Sequence, residues 1–393
     1  MTLVGIDLRT FVAERLLARN EVSRALFERE AERLAHACEE MASRFVRGGR
    51  LLAFGRGAAA TDAQHVSVEF VHPVIVGKRA LPALDLSAAF DRWVPVIVRD
   101  ADIVMGFAPP DGDPDVAAAL ARARATGAYA FALPGSCGDF AIDAPSHDPF
   151  ISQELVELLY HTLWETVHVF FEHRESRHDD VGASAFLYPF LGEAREDTSD
   201  IVGEVAASIR MKASDDEQIR QDVAQNQAYQ IAAAIDAVTR RLDNGATLLM
   251  FGNGGSATDA NDWAIDCVSP PAGAVPIRAL SLSMEPATLT AIANDVGADT
   301  IFLRQLIAHG RAGDVAVAIS TSGGSANVIA ALSEARKRGM LTVALLGYDG
   351  GEIVRRSLAD LPIVVRSDYI PRIQEVQASI YHVMTEAWRQ WRL

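Results

Sequence analysis

Cysteine is scarce. The 393 residues contain three, Cys38, Cys137 and Cys267, and no two form a CxxC pair. That excludes a disulfide framework and points to a reducing compartment. No apolar run approaches the ~20 residues that a helix needs to cross a bilayer. The start, MTLVGIDLRTFVAERLLARNE, carries charges throughout and lacks the apolar core of a signal peptide, so the expected location is cytoplasmic. Basic charge is also short, with 36 Lys and Arg against 52 Asp and Glu. The resulting net charge of −16 argues against a general nucleic-acid surface. It leaves room for an anionic small molecule, because a helix N-terminus can hold a phosphate locally. What remains, 49% hydrophobic and 22% charged, is an ordinary globular balance in a chain long enough for two domains.

One pattern is written twice. FGRGAAATDAQHVSVEF begins at Phe54 and FGNGGSATDANDWAIDC at Phe251, so Phe54 with Phe251 and Asp62 with Asp259 are both 197 residues apart. Each copy opens with amphipathic helical sequence, residues 8–47 and about 199–242, closed by Gly48-Gly49 or Asn244-Gly245. A short apolar strand then runs into a glycine turn (RLLAFG; TLLMFG), followed by a helix and further strands (ALPALDLS, DIVMGFA, AYAFALPG; IRALSLS, DVAVAIS, LTVALLG). Short apolar strands alternating with helices predict parallel sheets covered on both faces. The closing helices match as well: QELVELLYH from Gln153 and QEVQASIYH from Gln374 are 221 apart. The offset grows because the second copy carries an insertion, ATLTAIANDVGADTIFLRQL. The expected organisation is a first domain over 1–172, a join at 173–198 and a second domain over 199–393.

The phosphate chemistry sits in the second copy. FGNGGSATDA places glycines between a strand and a helix, where free N–H groups favour an anion. ISTSGGSANV puts Ser320, Thr321, Ser322 and Ser325 between the strand DVAVAIS and the helix NVIAALSEARKRG. An N-cap needs one hydroxyl; four within six residues point to a phosphate cradle.

FGNGGSATDA, TLTAIANDVG, ISTSGGSANV, LLGYDGG and RIQEVQASIYH together resemble the sedoheptulose-7-phosphate isomerase (phosphoheptose isomerase) family of sugar isomerase, or SIS, domains, over about residues 200–390. The resemblance implies an α/β fold of two flavodoxin-like SIS domains, each a parallel sheet between helix layers. It implies aldose–ketose isomerisation of a phosphorylated sugar and assembly of four SIS domains, here a homodimer forming a pseudo-tetramer. Carried over, Asn253, Gly254, Ser256, Ser320, Thr321, Ser322 and Ser325 match phosphate and sugar contacts, Asp295 an acidic substrate contact, Gln374 a metal ligand and His382 a ligand that doubles as an acid/base group. The family's His and Glu on the helix after the glycine turn are here Asp262 and Asp266. Asp266 keeps a carboxylate one methylene shorter, which puts tight metal binding by this copy in doubt.

The first copy is complementary. His65 and Glu69 lie four residues apart on one helix face, and Gln153 and His161 occupy the closing helix. The resemblance makes these four the ligands of a divalent metal, zinc foremost, although eight helical residues separate Gln153 from His161 by about 12 Å. The phosphate loop is replaced by GFAPPDGDPDV, whose prolines and aspartates obstruct or repel an anion, while Arg56 adds a charge near the glycine turn. An active isomerase would use Glu69 or Asp266 as base, His161 or His382 as partner acid/base, and the Ser320–Ser325 loop as anchor. The competing expectation is a sugar-phosphate sensor without turnover.

Overall fold

The computed structural model describes residues 2–3, 6–74, 78–175, 198–271 and 273–391. Most of the expected join, 176–197, therefore lies outside the described residues. After a short hairpin (β1, Thr2–Leu3; β2, Ile6–Asp7) comes the long helix α1 (Leu8–Val46). The first copy continues β3 (Leu51–Phe54), α2 (Ala59–Val71), β4 (Ala83–Asp85), α3 (Phe90–Ile97), β5 (Ile103–Phe107), α4 (Pro114–Ala125), β6 (Tyr129–Leu133), β7 (Phe140–Ala141) and α5 (Pro149–Glu175). The second runs α6 (Thr198–Asn226), α7 (Ala228–Asp243), β8 (Leu248–Phe251), α8 (Gly255–Val268), β9 (Ala279–Ser281), α9 (Pro286–Asp295), α10 (Ile301–His309), β10 (Val315–Ser320), α11 (Ala326–Lys337), β11 (Leu341–Gly347), α12 (Gly351–Arg355), β12 (Leu361–Val365) and α13 (Ile370–Trp391).

Both sheets are parallel and identically ordered, β4-β3-β5-β6-β7 and β9-β8-β10-β11-β12. Counted within each copy the order is 2-1-3-4-5, the doubly wound flavodoxin-like pattern. The register repeats too: Leu51 pairs with Ile103 as Leu248 pairs with Val315. Each sheet has five strands where the sequence reading gives four. The additions are edge strands, β7 of two residues and β12 with Pro362 in it, and a proline is tolerated at an edge.

The chain divides into two compact units. The first is Glu21–Asp215; the second is Met1–Asn20 together with Asp216–Leu393. Leu8, Phe11, Val12 and Leu16 of α1 join the core of the second unit, while Ile201, Val205, Ile209 and Ala213 of α6 join that of the first. Buried charge pairs hold these assignments. In the second unit Arg19, fully buried, reaches Glu386 of α13 at 3.1 Å, and Arg15 pairs with the same carboxylate. In the first, Lys212 binds Glu165 of α5 at 2.6 Å.

Ligands of doubly wound sheets bind outside the carboxyl ends of the strands, where the strand order reverses. That point lies between β3 and β5 in the first unit and between β8 and β10 in the second. The glycine turn after the first strand is the same in both: Gly57 and Gly254 each adopt φ +58°, which a side chain rarely tolerates. Among the described residues no helix is long and apolar enough to span a membrane.

Candidate active site

At the crevice of the second unit, β10 ends at buried Ser320 and the chain turns through Thr321-Ser322-Gly323-Gly324 into α11. The loop is internally braced. The Gly323 N–H donates to Ser320 Oγ at 3.2 Å and the Gly324 N–H to Ser322 Oγ at 3.2 Å. From below, Gly347 N–H donates to Thr321 O at 2.9 Å and Ile353 N–H to Gly323 O at 3.1 Å. A Cβ on Gly323 would lie 2.2 Å from the Gly350 carbonyl, so only glycine permits this approach. Ser325 occupies the N-cap of α11, yet its hydroxyl caps nothing. The side chain best placed to block that helix end therefore leaves it open. Across the crevice Asn253 exchanges two amide hydrogen bonds with Asn327, each 2.9 Å, tying the glycine turn to the hydroxyl loop. Ser256 is buried at the start of α8. Asp295 is exposed at the end of α9, a helix with no buried residue, where it accepts a 2.7 Å hydrogen bond from Asn294.

Behind the turn, α8 carries Asp262 and Asp266 on one face, and α13 sets His382 against them. His382 Nε2 lies 3.3 Å from Asp262 Oδ2 and 3.3 Å from Asp266 Oδ2. The Tyr381 hydroxyl donates to Asp262 Oδ2 at 2.8 Å. Stacking of Trp263 on Tyr381, ring centres 5.3 Å apart, and a 2.9 Å bond from Trp263 Nε1 to Thr385 fix the two helices together. Burial pushes the Asp266 carboxyl up to about 6, the Asp262 charge adds to this, and His382 and Arg389 oppose it. Gln374 is buried nearer the start of α13, its side-chain oxygen without a hydrogen-bond partner among the described residues.

The first unit has a cluster at the corresponding place. His65 and Glu69 of α2 and His161 of α5 are all buried, with their ligand-type atoms within 4.8 Å of one another. His65 Nε2 faces His161 Nε2 at 3.3 Å and Glu69 Oε1 at 3.9 Å. Ligand atoms about 2.0–2.1 Å from a tetrahedral ion lie roughly 3.3–3.4 Å apart, so the two nitrogens are spaced as ligands of one ion would be. Two imidazoles and a carboxylate are also a donor set that suits zinc. Gln153, the fourth residue of the expected set, turns its amide to Ala58 O at 3.3 Å and Asp62 Oδ2 at 3.2 Å. The second unit's Asp–Asp–His cluster shows the same 3.3 Å edges, so both copies converge donors at this point.

The loops differ more. In the first unit α4 is capped by Asp113, which accepts from Asp115 N–H at 2.8 Å and Val116 N–H at 3.1 Å. The helix end that would attract an anion already holds a carboxylate of its own. Arg56 pairs with Asp115 at 2.6 Å and lies over the Phe90 ring, so its charge already has an acidic partner at the surface. Three residues escaped the sequence reading: Asn327, Tyr381 and Glu157. Asn327 lies inside a motif read for its hydroxyls, and Tyr381 beside a residue read as a ligand. Glu157 was marked only by its spacing of four from both Gln153 and His161.

The chain is similar to known proteins in sequence and in fold. The SIS-domain family profile matches residues 214–347. A phosphoheptose isomerase of Citrifermentans bemidjiense is 46% identical over 159 residues, covering 40% of this chain and 81% of that protein. One from Geotalea daltonii is 38% identical over 179 residues, covering 45% and 92%. Among solved structures, the C-terminal domain of glucosamine-fructose-6-phosphate aminotransferase from Francisella tularensis aligns over 97% of this chain and 96% of its own, with a TM-score of 0.65 at 9% identity. At that identity the likeness concerns the fold alone, and it extends over nearly the whole chain.

Proposed function

The chain belongs to the phosphoheptose isomerase family of SIS-domain proteins, and from that premise we propose that it interconverts an aldose and a ketose sugar phosphate, sedoheptulose 7-phosphate being the first candidate. One observation carries the reading. In the second unit a hydroxyl-lined loop at an uncapped helix end follows β10, and the helix that follows the neighbouring strand β8 carries the two aspartates of a buried Asp–His–Asp cluster. An aldose–ketose shift moves a proton between C1 and C2 through an enediolate, which requires an anchored substrate, a base and a partner acid.

Ser320, Thr321, Ser322 and Ser325 with the N–H groups at the open start of α11 anchor the phosphate, and Asn253, Gly254 and Ser256 line the facing turn. Asp266, pushed up to about 6, is ionised at neutral pH yet basic enough to take a carbon-bound proton. His382, held against it, is the group that passes the proton to the carbonyl oxygen. In the first unit Glu69 and His161 occupy the corresponding positions, with His65 completing three ligands for a divalent cation, zinc by donor type. When bound, such an ion supplies Lewis-acid stabilisation of negative charge on oxygen. Asp295 is the acidic contact assigned to the sugar chain. The reading also carries a homodimer of four SIS units and a cytoplasmic location.

The deciding experiment is proton exchange. The protein is incubated in deuterated water with sedoheptulose 7-phosphate and followed by proton NMR. Loss of the signal at the carbon beside the carbonyl establishes the enediolate step. Measurable binding of the sugar phosphate without exchange makes the protein a ligand sensor and removes the isomerase assignment.

A further inference from the structure

Glu157 is buried on α5, four residues after Gln153 and four before His161, so the three share one helix face. Its Oε1 stands 3.8 Å from His65 Nδ1, while the other ring nitrogen, Nε2, faces His161 and Glu69. A neutral imidazole carries its proton on one nitrogen only. On Nε2, the proton would leave the Nδ1 lone pair facing a carboxylate and remove His65 from the donors of the cluster. On Nδ1, it faces Glu157, and the Nε2 lone pair joins His161 and Glu69. A carboxylate faces each nitrogen, Glu69 at 3.9 Å from Nε2 and Glu157 at 3.8 Å from Nδ1; the 3.3 Å approach of His161 Nε2 lets that ring donate to His65 Nε2, which leaves the His65 proton on Nδ1, toward Glu157.

The duplication supplies an internal control. The offset that takes Gln153 to Gln374 and His161 to His382 takes Glu157 to Ala378, and the offset at α2 takes His65 to Asp262. The ring and the carboxylate facing it are absent from the second copy together. There Asp262, which has no tautomer to choose, receives the Tyr381 hydroxyl instead. Burying a carboxylate is costly, and this one is kept in the copy that has a ring to orient.

We propose that Glu157 is a positioning residue that holds His65 in its Nδ1–H tautomer, so that Nε2 is presented with Glu69 and His161 to a divalent cation. The identity of the cation rests on the zinc reading above; the tautomer does not. Two measurements on the full chain test it. Histidine-selective 15N NMR on metal-free protein reads the tautomer of His65. Zinc affinity is read by competition with a chromophoric chelator.

The unaltered protein is expected to show protonated Nδ1 and unprotonated Nε2 at His65. In E157A that preference is lost and zinc binding weakens by about 10–100-fold, the usual effect of removing a partner of a ligating histidine. E157Q keeps an acceptor oxygen and is expected to keep the tautomer with an intermediate affinity. Should E157A fail to fold, E157Q and the tautomer of the unaltered protein decide. An Nε2–H tautomer in the unaltered protein, or the same tautomer and zinc affinity in E157A as in its parent, overturns the proposal. If even the unaltered protein takes up no zinc, the zinc reading falls while the tautomer comparison still judges Glu157.

Discussion

The two strand-to-helix junctions after β5 and β10 occupy the same place in the same sheet order, yet one carries carboxylates and the other only neutral hydroxyls. After β5 the chain spends a carboxylate, Asp113, on the helix N-terminus and neutralises Arg56 with Asp115. After β10 the N-cap hydroxyl of Ser325 makes no cap hydrogen bond, and the neighbouring hydroxyls of Ser320 and Ser322 accept from the loop's own N–H groups. Behind the turns the contrast is milder, since each copy gathers three buried donors: His–Glu–His in one, Asp–Asp–His in the other. A duplicated fold therefore conserves where side chains converge more strictly than which side chains they are. Loop charge is what separates an anion site from a sealed one.

The sharpest way to break this comparison is to remove one carboxylate from each cluster. If Asp266 is the base, D266N lowers the exchange rate by roughly 10²–10⁴, the usual contribution of a positioned general base, and leaves sugar-phosphate binding nearly intact. E69Q tests the same role in the first unit. A loss in E69Q with none in D266N would transfer the base to the His65 cluster. Next in size is S322D, which gives the open loop the charge of its sealed counterpart. Like-charge juxtaposition costs several kcal/mol, so the sugar phosphate is expected to bind on the order of 100-fold more weakly by calorimetry. Unchanged binding would place the phosphate elsewhere.

A pH series sharpens the contrast within the clusters. With Asp266 pushed up to about 6 by burial and the Asp262 charge, exchange falls about tenfold per unit below that value, because the base must be unprotonated. Stability runs the other way. An unfolded aspartate titrates near 4, so between about pH 4 and 6 the native chain holds a proton that the unfolded chain has lost. Unfolding free energy then decreases as pH rises through that window. Melts of metal-free protein should show this slope, and D266N should flatten it. An unaltered slope would mean that Asp266 titrates like an exposed carboxylate.

Much of this was legible in the sequence, for identifiable reasons. The repeat offset, the glycine turns and the alternation of apolar strands with helices express constraints local in the chain, and the parallel sheets appear where those signals lie. The hydroxyl loop was equally plain, because four hydroxyls crowd one junction. The edge strands were hidden: Phe140–Ala141 is too short to show a period, and Pro362 argues against a strand unless its edge position is known. The division of α1 and α6 between units was hidden as well, because an amphipathic face of such length does not specify which core it will join. Glu157 carried a faint signal at spacing four, and its meaning required the distance to His65.

The smallest expected effect tests whether the sealed loop is sealed for stability alone. Removing an N-cap carboxylate costs about 1 kcal/mol, so D113A should speed amide exchange in α4 about fivefold by hydrogen-exchange mass spectrometry while leaving sugar-phosphate affinity unchanged. S325A should do the reverse: the hydroxyl makes no cap bond, so α11 keeps its protection and only affinity falls. The pair is informative because both substitutions remove a polar group from the N-cap of an equivalent helix. If D113A also raised or lowered sugar-phosphate affinity, the first junction would have to belong to the binding machinery. The division of labour between a capped and an open helix end would then fail at the point where the two copies differ most.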